Sequence, residues 1–545
     1  MNRLLVTGRV FTADPRQPWA AAVAVDEGQI IHVGTIDDTP FSATDAGVTH
    51  IDAGKGVVLP GFVDAHCHLL ATGASLSKAQ LQTAIDLHDI GDRLATWGLT
   101  NPNEPRVLGA GWTYSAIPTG RPTVSMLDQY IADRPVYLEA NDLHSSWVNS
   151  LALIELGITD DTPDPVGGRI VRDPSGAATG HLLETASMEL VWPLLGRIDD
   201  ATRDQQLATV VSAYLEAGVT TAVDMALGEA DLAALQRAEE AGALALRVVA
   251  HWLIRRTGDR TTELAQVDRA AVLAATHASD RFRVVGVKVI IDGTIDGCTA
   301  SMLDPFADGS HPPPIWDDDS LRAVVHRSNE LGLQVAIHAI GDGAVRSALD
   351  AIESALAVHP RADHRHRIEH LEYTNAADVR RLGELGVVAS MQPVHVDPAI
   401  MDNWVAMLGD DRVQRGFAWP EYVTTGAQLV FSTDTPTAPY HPLPNMFIAT
   451  TRCSPSNASL APHRPDFALP IDQAILHATR DAAWASRLES VTGSIVVGAA
   501  ADLVILDINP FERDLDSLLT ARPVVTITSG NIVFDARGPE TVRVV

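Results

Sequence analysis

Short apolar runs, each followed by an amphipathic stretch, recur through the middle of the chain, the pattern left by βαβ units around a parallel sheet. Eight such strands are predicted, at residues 61–70, 218–225, 246–254, 284–293, 333–342, 366–373, 387–393 and 428–434. Most starts lie about 20 to 50 residues apart, room for one crossover helix each, as in LRAVVHRSNELG ahead of the fifth strand. This predicts an α/β fold, a closed (β/α)8 TIM-like barrel. About 150 residues separate the first strand from the second, so residues 71–215 are read as an insertion with strands of its own in RVLGAGW and RPVYLEAND.

The two ends of the chain are patterned differently from the middle. Residues 1–61 alternate short β-prone pieces with turns, and residues 481–545 do the same, with Ser529-Gly530-Asn531 as a hairpin signal between β-branched runs. Ends of matching character are predicted to pair into one small β-sandwich domain beside a barrel spanning residues 62–480.

Composition narrows the function. Hydrophobic residues make up 46% and charged residues 20% of the 545, an ordinary globular balance that excludes disordered, collagenous and coiled-coil chains. Forty basic against 69 acidic residues give a net charge of −29, a field that repels phosphate backbones and anionic bilayers. The expected partner is therefore a small-molecule substrate, not nucleic acid or membrane, and a homodimer is the assembly entertained. Cys67, Cys298 and Cys453 are too few and too scattered for a disulfide framework. The opening apolar run is too short for a signal-peptide core and no stretch approaches 18 apolar residues, so a reducing, cytoplasmic setting is expected.

Barrel enzymes carry their chemistry at the C-terminal ends of the strands. The first strand ends in Asp64-Ala65-His66-Cys67-His68, where alternation turns His66 and His68 to one side and Cys67 to the other. The fourth carries Lys288, the fifth ends at His338, the sixth at His370 and the eighth at Asp434; Asp224, His251 and His395 are secondary candidates. Singly, each has a bland reading: hydrogen-bonded histidines, a snorkelling strand lysine, an aspartate opening a turn. Together they converge on one mouth, and a metal site is the reading that uses them all. Lysine occurs only at positions 55, 78 and 288. A lysine where arginine is the habit points to a need for a primary amine, which CO₂ can carbamylate or a carbonyl can capture. His364 and His366, at the far end of the sixth strand, are read as solvated.

Pro60-Gly61-Phe62-Val63-Asp64-Ala65-His66-Cys67-His68, Lys288, His338-Ala339-Ile340-Gly341-Asp342, Glu369-His370 and Ser432-Thr433-Asp434 together resemble the amidohydrolase superfamily. Trp147-Val148-Asn149-Ser150 and Ala501-Asp502-Leu503-Val504 extend the resemblance over nearly the whole chain, within the branch of N-substituted formamide deformylases and YtcJ-like proteins. It implies a metal-dependent hydrolase of carbon–nitrogen bonds that holds one or two divalent ions, expected to be Zn²⁺. The implied ligands are His66, His68, Lys288 as a carbamate, His338, His370 and Asp434, with Asp434 moving the proton and Lys288 bridging the ions. Relatives often carry Asp-Gly-His where this chain has Asp142-Leu143-His144, which puts the conformation of that loop in question. Trp112, Asp142, His144 and His395 are candidates for the substrate pocket.

Rival readings are weaker. A deaminase of the superfamily needs a glutamate shortly after the fifth-strand histidine, where this chain has Ala339-Ile340-Gly341, and it leaves Lys288 without work. No Gly-x-Ser-x-Gly elbow or Gly-x-Gly-x-x-Gly loop occurs. A non-catalytic metal-binding barrel has no use for a proton-shuttling aspartate.

Overall fold

The computed structural model describes residues 3–117, 121–165, 167–537 and 543–544. The chain forms two compact units, one of Met1–Cys67, Val211–Thr433 and Tyr440–Val545, the other of His68–Val210 and Asp434–Pro439. Among the described residues no helix is long and apolar enough to cross a membrane.

The first unit contains all eight expected barrel strands: β1 (Phe62–Cys67), β2 (Val219–Leu227), β3 (Arg247–Ile254), β4 (Phe282–Ile290), β5 (Gln334–Ala339), β6 (Arg367–His370), β7 (Val388–Met391) and β8 (Leu429–Phe431). Neighbours pair in parallel in chain order. Strands buried on both faces need unbroken β-branched runs, which is why they stand out in the sequence. Between β8 and β1 the seam is held by a side chain. Asp64 accepts from the backbone N–H of Thr433 at 2.9 Å, from the Thr433 hydroxyl, and from the Tyr214 hydroxyl at 3.0 Å. Two of the crossover helices start where an aspartate can accept from their first turn: Asp259 caps Arg260–Thr276 and Asp317 caps Asp318–Glu330.

Both chain ends enter one nine-stranded sheet in the same unit. It branches at Arg3–Phe11, which pairs with Trp19–Asp26, Val48–Asp52 and Val57–Pro60. The ends meet where Val57–Pro60 runs antiparallel to Leu503–Leu506, with Leu59 opposite Val504. The hairpin at Ser529-Gly530 joins Pro523–Thr528 to Asn531–Asp535 as expected. Val6, Val25, Val58, Leu503 and Ile527 lie in the buried core of this β-rich domain. One of its ties to the barrel is ionic: Asp502 accepts from Arg247 Nε at 2.7 Å and from the Ser529 backbone N–H at 2.7 Å, while Arg247 Nη2 donates to the Ser529 hydroxyl. This gives Ala501-Asp502-Leu503-Val504 a structural role.

The second unit has a six-stranded sheet. Ala79–Gln80, Val107–Trp112 and Val136–Ala140 pair in parallel, then Ser145–Val148, Ala178–Glu184 and Gly168–Arg172 continue antiparallel. The strand pieces seen in the insertion sequence are the second and third of these. Two clusters form its core, one around Trp112, Leu138 and Trp147, the other around Tyr137, Val148 and Leu182.

Removing one partner of a buried ion pair leaves the other charge uncompensated, at a cost of about 3–5 kcal/mol. Arg247 is 3% and Asp502 3% exposed, so Asp502→Ala is expected to lower the free energy of barrel unfolding by that amount, read as a lower urea midpoint. An unchanged midpoint would show the tie to be dispensable.

Candidate metal centre and its surroundings

In the first unit, β1, β5 and β6 bring three histidines together. His66, His370 and His338 are 0%, 3% and 5% exposed, with ring centroids 4.9 Å apart for His66 and His370 and 4.5 Å apart for His338 and His370. Lys288, also buried, lies opposite Leu253 of β3 and Ala336 of β5. It therefore occupies a central strand, which removes the edge-lysine reading. Cys67, buried on β1, points its thiol to the backbone oxygen of Val223, away from the histidine side as alternation requires.

Behind the imidazoles stands a set of fixed acceptors. His66 Nδ1 donates to Glu369 Oε2 at 2.7 Å, since a carboxylate can only accept. Glu369 is in turn bonded to Arg367, whose guanidinium also donates to the Ala65 carbonyl at 2.8 Å and the Ser390 hydroxyl at 2.6 Å. Burial by itself raises the Glu369 carboxyl, but the Arg367 guanidinium and His66, with Lys288 adding its charge, hold it well below the usual carboxylate range. His370 Nδ1 is bonded to Gln392 Oε1 at 2.9 Å, and Gln392 Nε2 donates to the Ser432 hydroxyl. With both Nδ1 atoms engaged, Nε2 is the nitrogen that each ring would offer to an ion.

Asp292, just beyond β4, organises the third histidine. It accepts from the backbone N–H groups of Ser301, Ile340 and Gly341, and its Oδ1 lies 3.5 Å from His338 Nε2. His395, on the short helix Pro393–Val396 after β7, stacks on His370 at 5.9 Å and 13°. Its Nδ1 is 3.1 Å from Glu372 Oε1.

Other first-unit candidates serve the fold. His251 is fully buried, bonds Gln334 at 3.0 Å, and is pushed by burial down to a pKa of about 3, so it stays neutral. Asp224 accepts from the Ala226 backbone N–H. His364 and His366 are not solvated, contrary to expectation: they are 5% and 0% exposed, and bond the Leu385 carbonyl and Asn329 respectively. The loop leading into β6 folds inward, and its histidines satisfy buried backbone and amide groups.

In the second unit, His68 Nε2 lies 3.2 Å from Asp434 Oδ1, and the His68 backbone N–H donates to the Thr435 carbonyl. Trp112 is fully buried and packs edge-on against Tyr114 and Trp147 at 4.8 and 5.6 Å, a core position. Asp142 accepts from the His144 backbone N–H, and His144 Nδ1 meets Glu184 Oε2 at 2.7 Å. Five non-glycine residues at or beside these groups have left-handed backbones: His370 (φ 77), Leu371 (φ 51), Asp434 (φ 57), Leu143 (φ 61) and Glu184 (φ 51). Strain of this kind collects at functional sites.

Sequence reasoning missed Glu369, Asp292, Glu372 and Glu184. Arg367-Ile368-Glu369 carried a signal, because opposite charges at alternate positions of a fully buried strand must face one another inside.

The amidohydrolase family (Amidohydro_3) matches residues 49–534. The chain belongs to this family. Among amidohydrolase relatives, the putative amidohydrolase YtcJ of Bacillus subtilis (strain 168) is 27% identical, over 97% of this chain and 98% of its own. N-substituted formamide deformylase of Arthrobacter pascens is 26% identical, over 98% of each chain. The crystal structure of an uncharacterized metal-dependent hydrolase from Pyrococcus furiosus superposes with a TM-score of 0.72 at 25% identity, covering 94% of this chain and 100% of the other. The chain is thus an amidohydrolase of the YtcJ-like and formamide-deformylase-like branch, a hydrolase acting on carbon–nitrogen bonds.

Leu143 holds the left-handed backbone that glycine adopts without cost. Leu143→Gly is expected to raise stability by about 1 kcal/mol, read as a higher thermal midpoint. A fall would mean that packing of the leucine side chain outweighs the strain.

Proposed function

We propose that this amidohydrolase uses a divalent metal to hydrolyse an amide or formamide bond of a small, partly apolar substrate. The observation that carries the reading is the cluster of three buried imidazoles, two of them fixed through Nδ1 so that Nε2 is the ligating atom. Imidazole nitrogens with carboxylate oxygens suit a borderline ion, Zn²⁺ before Mg²⁺ or Ca²⁺. His66, His68, Lys288, His338, His370 and Asp434 would hold it. His68 and Asp434 follow closely in the chain on β1 and on Thr433, which Asp64 fixes. When bound, such an ion acidifies water to a pKa of about 7 and polarises a carbonyl oxygen.

The chain's own residues do the rest. Asp434, steadied by His68, takes the proton of the attacking water. Glu369 and Gln392 keep His66 and His370 in one tautomer and one orientation through the cycle. Lys288 as a carbamate would add an anionic bridge between two ions, a role no guanidinium can fill. A second reading keeps Lys288 an unmodified ammonium on its central strand, between Leu253 and Ala336, with one ion in place of two. The formamide deformylase relative supports formamides as the first substrates to try.

His66→Ala is expected to lose most bound metal, measured by elemental analysis, and to lower kcat/KM by about 10³-fold or more, because a ligand sets both affinity and water acidity. Glu369→Gln should weaken metal affinity by about 10–100-fold, because it loosens the orientation of His66. Full metal content in His66→Ala would refute the site. Lys288→Arg separates the two readings: under the carbamate it matches Lys288→Ala in lost metal and turnover, whereas one retained ion with turnover supports the ammonium.

A further inference from the structure

The second unit contains a histidine–carboxylate pair that the proposed hydrolysis has not used. His144 and Glu184 are joined twice, through His144 Nδ1 and Glu184 Oε2 at 2.7 Å and through the Glu184 backbone N–H donating to the His144 carbonyl at 2.7 Å. Their side chains are 12% and 8% exposed, shielded enough for the bond to be strong. The nearby His181 contrasts with it: burial pushes that imidazole down to a pKa of about 4, and it contacts the Tyr114 hydroxyl within the aromatic core. The chain also accepts left-handed backbones on both sides of the pair, at Leu143 and at Glu184.

The pair lies on a particular edge of the sheet. Ala79–Gln80, Val107–Trp112 and Val136–Ala140 are parallel, so their C-terminal ends share one edge. Asp142 and His144 follow the third of these strands. Gln82, just past the first, donates its side-chain Nε2 to the Pro436 carbonyl at 3.0 Å. That anchors the Asp434–Pro439 segment to the same edge, with His68 held there by Asp434 and by the Thr435 carbonyl. Within this unit, the proposed ligands His68 and Asp434 and the His144–Glu184 pair therefore belong to one edge.

We infer that His144 is a catalytic residue, the general acid that protonates the departing amine, with Glu184 as its positioning residue. The inference rests on the amide-hydrolysis reading. Water oxygen adds to the carbonyl carbon and Asp434 takes the water proton. As the carbon–nitrogen bond breaks, its electron pair goes to nitrogen, which takes the Nε2 proton of a His144 imidazolium whose Nδ1–H stays on Glu184. The proton held by Asp434 then restores His144, so one water is consumed and the enzyme ends as it began. Glu184 accepts from Nδ1–H and holds the ring plane while the proton leaves.

Proton donation matters only where the amine is too basic to leave as an anion, and this supplies the test. The full-length metal-loaded enzyme, His144→Asn and Glu184→Gln are compared on N-benzylformamide, whose alkylamine needs a proton, and on N-(4-nitrophenyl)formamide, whose far less basic nitroanilide depends on that proton much less. His144→Asn is expected to lose about 10²–10⁴-fold in kcat on the benzyl substrate and less than about tenfold on the nitrophenyl one, with bound metal unchanged by elemental analysis. Glu184→Gln, which retains the shape of the pair, should show the same selective loss at smaller size. Equal losses on both substrates in both variants would assign the pair a structural role and overturn the inference. Lost metal in His144→Asn would overturn it too, making His144 part of the metal site. A wild-type enzyme that binds metal yet hydrolyses neither compound would instead refute the amide-hydrolysis reading, and His144 as acid would fall with it.

Discussion

A carboxylate sealed inside a barrel can persist only if its charge is answered on the spot, and Glu369 is the point where this chain meets that condition. It is 0% exposed and lies between Arg367, on its own strand, and His66, on β1. Arg367 reaches on to the Ala65 carbonyl and the Ser390 hydroxyl, so one charged group joins β6 to β1 and to β7. Slippage of β6 by one residue would turn the charged side chains out of the interior and strand the histidine. Register and the tautomer of a proposed ligand are thus fixed by the same few atoms. The next residue along β6 is His370, and its place is inherited from that register.

Buried aspartates repeat the device with backbone donors. Asp64 spans the seam between β8 and β1, Asp292 gathers three backbone N–H groups beyond β4, and Asp502 fastens the terminal sheet to Arg247. A hydrogen bond to a charged group is worth about 1.5–3 kcal/mol, and an unmade one costs as much. Each of these acids sits where two chain segments would otherwise meet with unsatisfied groups. Part of the chain's acidity is therefore internal and structural, and the excess of 69 acidic over 40 basic residues overstates what a partner would meet at the surface.

Much of this was legible in the sequence, for a physical reason. Parallel barrel strands are buried on both faces, so they appear as unbroken apolar runs, and their C-terminal ends share a mouth by topology. That placed His66, Lys288, His338 and His370 on the correct strands. The partners that aim them were not legible, because their pairing is long-range: His66 and Glu369 are 303 positions apart, and Gln392 meets His370 only because β6 and β7 are neighbours. The misreading of His364 and His366 has the same origin. A histidine before a strand looks solvated until the fold closes over it, and nothing local announces that it will.

The left-handed residues tie these threads together. A non-glycine residue in that region costs about 1–3 kcal/mol, and a protein with a total stability of about 5–15 kcal/mol can sustain several only where other bonds over-determine the backbone. At His370 the Gln392 bond does so, at Glu184 the bond to His144, and at Asp434 the contact with His68. In each case glycine would relieve the backbone and delete the group whose position the strain serves, so strain and chemistry are inseparable there. Leu143 is different, since its side chain has no polar atom to aim. Its strain serves the residue after it, whose backbone N–H is held by Asp142 and whose ring is held by Glu184. The backbone at Leu143 is bent so that His144 can be straight, and that is the mark of a loop built around its histidine.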